Sequence, residues 1–96
     1  MAAYLIFDVD IRDAEQYGKF MQAVKPELEK VGARYLVRGG AFEVLEGDWQ
    51  PRRLVLLEFP SRAVAEAFYN GPTYQGLKQV REAASHGRLV LVEGLQ

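Results

Sequence analysis

The chain has 96 residues, 49% of them apolar and 26% charged, with a formal net charge of −1 and no cysteine. These values fit one globular domain with a modest core, and they exclude disulfides, thiolate catalysis and cysteine-ligated metal centres. A charge so close to zero argues against nucleic acid as the main partner, because phosphate binding needs a basic surface.

The first segment, MAAYLIFDVD, carries no positive charge among its side chains and meets Asp8 too early for a secretory signal. No apolar run approaches the roughly 20 residues that cross a bilayer. A cytoplasmic protein with no membrane partner is therefore expected. Residues 4–11 alternate as a strand, with Leu5, Phe7, Val9 and Ile11 on one face and Tyr4, Ile6, Asp8 and Asp10 on the other. The first of these faces should meet helices. Asp13 can cap the next segment, with Gln16 three residues on as its capping-box partner.

Tyr17, Phe20, Met21, Val24, Leu28 and Val31 then recur at three- and four-residue steps, drawing an apolar stripe for the core. Pro26 removes an amide donor, so a kink or restart is expected near Lys25. Gly32 supplies a left-handed stop. Ala33–Val37 read as a second strand. The pair Gly39-Gly40 breaks it before Phe42–Glu46 resume extended structure, as a hairpin or, preferably, as one bent strand.

Residues 47–51 form a turn, and Arg53–Phe59 make the most apolar strand, which should sit centrally. Ser61 caps a short helix through Tyr69. Asn70-Gly71-Pro72 stops it and opens another, with Tyr74, Leu77, Val80 and Ala84 in helical rhythm. Ser85-His86-Gly87 closes that helix, and Arg88–Glu93 make the last strand.

The order βαββαβ is that of an α+β, ferredoxin-like fold, an antiparallel sheet with helices on one face. The other face would carry Tyr4, Ile6, Leu54 and Leu56, too apolar to stay wet as one patch. Two copies packing those faces together would cover it, so a homodimer is expected.

These residues also carry a resemblance. YLVRGG at 35–40, VLEGDW at 44–49, PRRLVLLEFPS at 51–61, Tyr69 before Pro-Thr-Tyr at 72–74, and LVLVEG at 89–94 together resemble the family called domain of unknown function 1330. That family belongs to the dimeric α/β-barrel superfamily, so the resemblance implies two ferredoxin-like sheets closed against each other. The superfamily includes cofactor-free monooxygenases, muconolactone isomerases, haem-dependent chlorite dismutases and stress-responsive barrel proteins. Resemblance therefore implies a fold, not a reaction, and it transfers no catalytic residue.

Candidate site residues rest on their chemistry. Arg38, before the glycine pair, can leave the sheet plane and bind a carboxylate through two hydrogen bonds. A salt bridge to Glu46, to Glu58 or to a partner subunit is the plainer role. Arg52 and Arg53 alternate, so only one can point inward. Asp8 and Glu58 interrupt apolar strands, where desolvation would raise a carboxyl toward use as a base. Pairing with Arg34, Arg38 or Arg53 is the alternative. His86, the single histidine, caps a helix end or moves a proton, and alone it makes no multi-histidine metal site.

Tyr35, Trp49, Tyr69 and Tyr74, grouped with Arg38 and Arg53, would line a pocket for a small aromatic or unsaturated acid. The absence of GxGxxG and GxxxxGK excludes nucleotide binding through those loops. Two functions follow as expectations. The first is a homodimer that binds a small organic, anionic molecule between sheet and helices. Its enzyme version is a cofactor-free oxygenase or isomerase using Asp8 or His86 as the proton carrier. The second is a non-catalytic module whose charges only staple the dimer.

Overall fold

Alternation from Ala3 to Ile11 builds β1 (Ala3–Ile11) in the computed structural model, which describes residues 1–95. Ala3, Leu5, Phe7 and Val9 are buried, while the residues between them are partly exposed. Asp13 caps α1 (Ala14–Lys30), its carboxylate accepting from the Gln16 N–H at 3.1 Å. The helix continues through Pro26, so the restart expected near Lys25 does not occur. Pro26 and Gln22 are both exposed, which leaves the carbonyl without a donor facing water. Gly32, at φ 77°, ends the turn, and the Ala33 N–H reaches back to the Leu28 carbonyl at 3.0 Å.

The remaining elements are β2 (Arg34–Arg38), β3 (Leu54–Phe59), α2 (Arg62–Asn70), α3 (Pro72–Ala84) and β4 (Ser85–Glu93). The four strands are antiparallel in the order β2-β3-β1-β4, which is the ferredoxin-like α+β arrangement. β3 lies inside the sheet, as its apolar sequence predicts. Within the chain the sheet is open, with β2 and β4 as its edges, so a barrel takes a second sheet.

Helices cover the odd-numbered face of β1 and β3. Tyr17, Phe20, Val24 and Leu28 of α1 pack with Leu5, Phe7, Val55, Leu57 and Phe59 in one buried cluster. Tyr74 joins the helices: its ring lies 5.1 Å from Phe68, 5.4 Å from Tyr69 and 6.4 Å from Phe20. Each such pair contributes about 0.5–1.5 kcal/mol beyond its burial. On the opposite face, Tyr4, Ile6, Leu54 and Leu56 are half-buried, and Val90 and Val92 are exposed.

Two expectations fail here for physical reasons. Residues 42–46 do not resume a strand, because the last β2–β3 pair is Arg38 with Val55 and no other edge of this chain is paired with them. Val80 is exposed, and Arg81 takes the inward position between Tyr74 and Ala84 on α3.

Candidate functional site

The side chain of Arg38 is aimed by a bulge. Tyr35 pairs with Leu57, but the next pairs are Val37 with Leu56 and Arg38 with Val55, so Leu36 is the extra residue. Regular alternation would put Tyr35 and Arg38 on opposite faces. The bulge restores Arg38 to the helix-covered face, where its guanidinium carbon lies 5.0 Å from the centre of the Tyr35 ring. Arg53 reaches the same place by parity with the buried residues of β3, and its guanidinium lies 5.8 Å from the Tyr17 ring. Arg52 points to the other face.

These four residues flank a cavity between α1 and the sheet, whose walls include Leu5, Phe20, Val24, Leu57, Phe68 and Tyr74. Among the described residues neither Arg38 nor Arg53 meets a carboxylate at ion-pair distance. The Arg53 guanidinium also makes a weak 3.8 Å approach to the Met21 sulfur. Burial pushes the Tyr17 and Tyr35 hydroxyls up, with Arg53 and Arg38 respectively pulling back. Burial likewise pushes Tyr74 up to about 12, although Arg81 donates to its oxygen at 2.7 Å. All three phenols therefore stay protonated at neutral pH.

The lining contains no carboxylate and no imidazole. Its polar groups are two guanidiniums and three phenols, a cationic and uncharged set suited to an anion with an apolar body. Its free volume is about 30 Å³, close to the share of one water molecule. A ring-sized guest would need more room than this, and the unbranched Met21 and the two arginine side chains are the flexible parts of the wall.

Gly39 gives Arg53 its room. It sits at φ 72°, and a Cβ there would lie 2.6 Å from the Arg53 Nε. Gly39→Ala is expected to lower stability by about 1 kcal/mol through backbone strain and to displace Arg53. Urea denaturation together with ligand titration checks both effects.

Asp8, Trp49 and His86 lie elsewhere. They line a groove of about 610 Å³ on the open face of the sheet, with Asp10, Asp48, Arg52 and Arg88. The parity of β1 that buries Phe7 turns Asp8 away from Arg38, so the structure does not bring the two together. The indole of Trp49 donates to one oxygen of Asp8 and the Arg52 N–H to the other, each at 2.9 Å. Desolvation alone would raise this carboxyl, but those two hydrogen bonds and the nearby Arg88 charge hold it below its ordinary value. The expectation of a raised carboxyl is thereby corrected.

Glu58 is also held low, chiefly by Arg34, whose Nε lies 2.6 Å away, with Tyr4 adding a second hydrogen bond. His86 stands within β4 opposite Asp10 and not at a helix end. Ser85 takes the helix terminus instead, its hydroxyl donating to the Arg81 carbonyl at 2.6 Å.

The sign of the Asp8 shift sets a pH dependence. Its folded pKa is depressed, so its hydrogen bonds stabilise the fold above the ordinary value near 3.8, and this is lost as pH falls through the folded value. Asp8→Asn is expected to lower stability at pH 7, with the gap from wild type closing below about pH 3.8. Denaturation curves between pH 3 and 7 check this.

Residues 2–95 match the family described as Domain of unknown function (DUF1330). The chain belongs to the DUF1330 family. No protein of curated function matches this DUF1330 chain. Among solved structures it is similar to the RPA0582 protein of unknown function from Rhodopseudomonas palustris, with TM-score 0.79, 22% identity, and 99% of this chain and 83% of that one covered. It is also similar to SnoaB, a cofactor-independent oxygenase from Streptomyces nogalater, at TM-score 0.68 and 7% identity over 99% and 94% of the chains. A dimeric ferredoxin-like protein of unknown function from Jannaschia sp. CCS1 aligns at TM-score 0.63 and 18% identity over 98% and 100%. At these identities the likeness is one of fold.

The remaining candidates of the DUF1330 chain divide likewise. Tyr74 lines the α1 cavity, whereas Tyr69 stands behind it, with the Lys78 ammonium 5.2 Å from its ring centre. Sequence reasoning assigned Tyr17 and Met21 to packing alone and passed over Arg81. Arg81 follows Tyr74 by seven residues, two helical turns on the same face, and that spacing was the available signal.

Proposed function

We propose that this DUF1330 protein is a homodimer that binds a small organic anion with an aromatic or unsaturated body between α1 and the sheet. The observation that carries this is the pair Arg38 and Arg53, neither ion-paired among the described residues, each against a tyrosine ring in the lining of an apolar cavity. A guanidinium binds a carboxylate through two hydrogen bonds, and both arginines line the same cavity. The open face with Tyr4, Ile6, Leu54 and Leu56 is the surface for the second copy, and the dimeric Jannaschia protein supports it by analogy.

Catalysis, if the protein carries it, is of the cofactor-free oxygenase kind, an analogy to SnoaB. Isomerisation through Asp8 or His86 has little support, since both face the opposite groove. A proton within the cavity would come from Tyr17, Tyr35 or Tyr74. The second reading, a non-catalytic module, draws on the small free volume of the cavity.

Calorimetric titration with aryl carboxylates and their neutral amides separates the two. Binding of the acids with at least roughly tenfold preference over the amides supports the anion site. Equal or absent binding supports the module.

A further inference from the structure

Arg81 is a buried charge with no evident counter-ion. It is 7% exposed, and among the described residues no carboxylate lies at ion-pair distance from it. A guanidinium so placed is costly to the fold. Its direction follows from the helix that carries it. Side chains on α3 lean toward the helix N-terminus, and Tyr74 stands two turns back on the same face. The Arg81 guanidinium passes the Phe7 ring, its carbon 5.8 Å from the ring centre, and its Nη1 donates to the Tyr74 oxygen at 2.7 Å.

That bond decides what Tyr74 can do. A guanidinium has five donors and no acceptor, so the phenol can only accept from Arg81 and cannot give back its own hydrogen. Tyr74 is 3% exposed, and among the described residues no protein group accepts that hydrogen. A buried O–H without an acceptor is also costly. Tyr74 lines the α1 cavity, whereas Arg81 stands behind it, outside the lining. The cavity is therefore the outlet for the unspent donor. Burial keeps the phenol protonated at neutral pH, and the Arg81 charge also reaches Tyr17, in the same lining as Arg53.

We propose that Tyr74 is a second binding residue of the cavity, donating its hydroxyl hydrogen to a second oxygen of the guest, with Arg81 as the positioning residue that aims this donor. Arg81 also favours negative charge on the oxygen that receives the hydrogen. The ligand class narrows from an aryl or unsaturated acid to one that carries an accepting oxygen besides its carboxylate, an aromatic keto acid being the simplest case. This rests on the anion site proposed above, where Arg38 and Arg53 hold the carboxylate, and it adds a second polar contact to that site.

The probes are the acetylbenzoate isomers, each compared with the isopropenylbenzoate in which a CH2 group replaces the ketone oxygen, and with the corresponding uncharged acetylbenzamide. At least one ketone is expected to bind wild type roughly 3- to 10-fold more tightly than its alkene. Tyr74→Phe should erase that ratio and keep the preference for acid over amide. In infrared spectra the carbonyl stretch of the bound ketone should lie lower with wild type than with Tyr74→Phe. Arg81→Met keeps the phenol and removes what aims it, so both readouts should move toward those of Tyr74→Phe, and Arg81→Lys should restore them in part. Lost packing alone would weaken ketone and alkene together and leave the ratio unchanged. If Tyr74→Phe does not fold, the Tyr74 Cζ resonance of wild type labelled with ¹³C-tyrosine carries the same test, shifting more with the ketone than with the alkene.

Equal affinity of wild type for every ketone and its alkene overturns the second contact, while the anion site stands if acids still bind better than amides. A ketone preference that survives Tyr74→Phe, or a Cζ resonance that does not distinguish the two probes, overturns the role of Tyr74. A ratio and a carbonyl stretch unchanged in Arg81→Met overturn the role of Arg81. No preference for any acid over its amide overturns the anion site itself.

Discussion

Arg53→Gln and Arg38→Gln are each expected to weaken binding of an aryl carboxylate roughly 10- to 100-fold, with less effect on the matched neutral amide. A hydrogen bond to a charged group contributes about 1.5–3 kcal/mol, and each arginine supplies at least one. The cation–π contact of Arg53 with Tyr17, at 5.8 Å, and of Arg38 with Tyr35, at 5.0 Å, pre-orders the guanidiniums. Because both arginines would hold the same carboxylate, the double variant should lose less than the sum of the two singles. Arg62→Gln, on an exposed arginine paired with Glu66 and Glu93, should leave affinity unchanged. Equal losses for acid and amide would show that the arginines pack and do not bind charge.

Leu56→Asp carries the second large effect. Leu56 lies opposite Ile6 on β1 and Val37 on β2, at the centre of the open face and away from the helices. In a single copy the aspartate stays partly wet, so the fold should survive. In a face-to-face pair the carboxylate would be buried unpaired, at a cost of several kcal/mol for each copy. Light scattering should therefore report a monomer at concentrations where wild type is a dimer. An intact Leu56→Asp dimer would mean that the copies meet elsewhere.

Much of this architecture is legible in local spacing. The two-residue rhythm from Leu5 to Ile11, the stripe from Tyr17 to Leu28 and the caps at Asp13 and Ser61 need no long-range information, and each is present. The same rhythm already sets Asp8 on the face of Ile6, opposite Phe7. Grouping Asp8 with Arg38 set that rhythm aside. The bulge at Leu36 was not legible. ARYLVRGG alternates without interruption, and the extra residue shows only in the register against β3, some twenty residues later.

Gly39-Gly40 is the conspicuous break in the sequence, yet Gly39 accommodates the Arg53 side chain and does not bend a continuing strand. Residues 42–46 show the complementary limit. Strand composition identifies a segment able to pair, but pairing needs an edge, and none within the chain is engaged. In the sequence Gly87 looks like a helix stop, which sets His86 at a helix end. β4 begins at Ser85 directly after α3 and takes the histidine into the sheet.

The most direct test is to titrate ¹⁵N-labelled protein with an aryl carboxylate and follow amide shifts residue by residue. The account predicts saturable shifts centred on Tyr17, Met21, Tyr35, Arg38 and Arg53, with Asp8, Trp49 and His86 nearly unmoved. Shifts centred on Asp8, Trp49 and His86 would place the ligand in the open-face groove and contradict it.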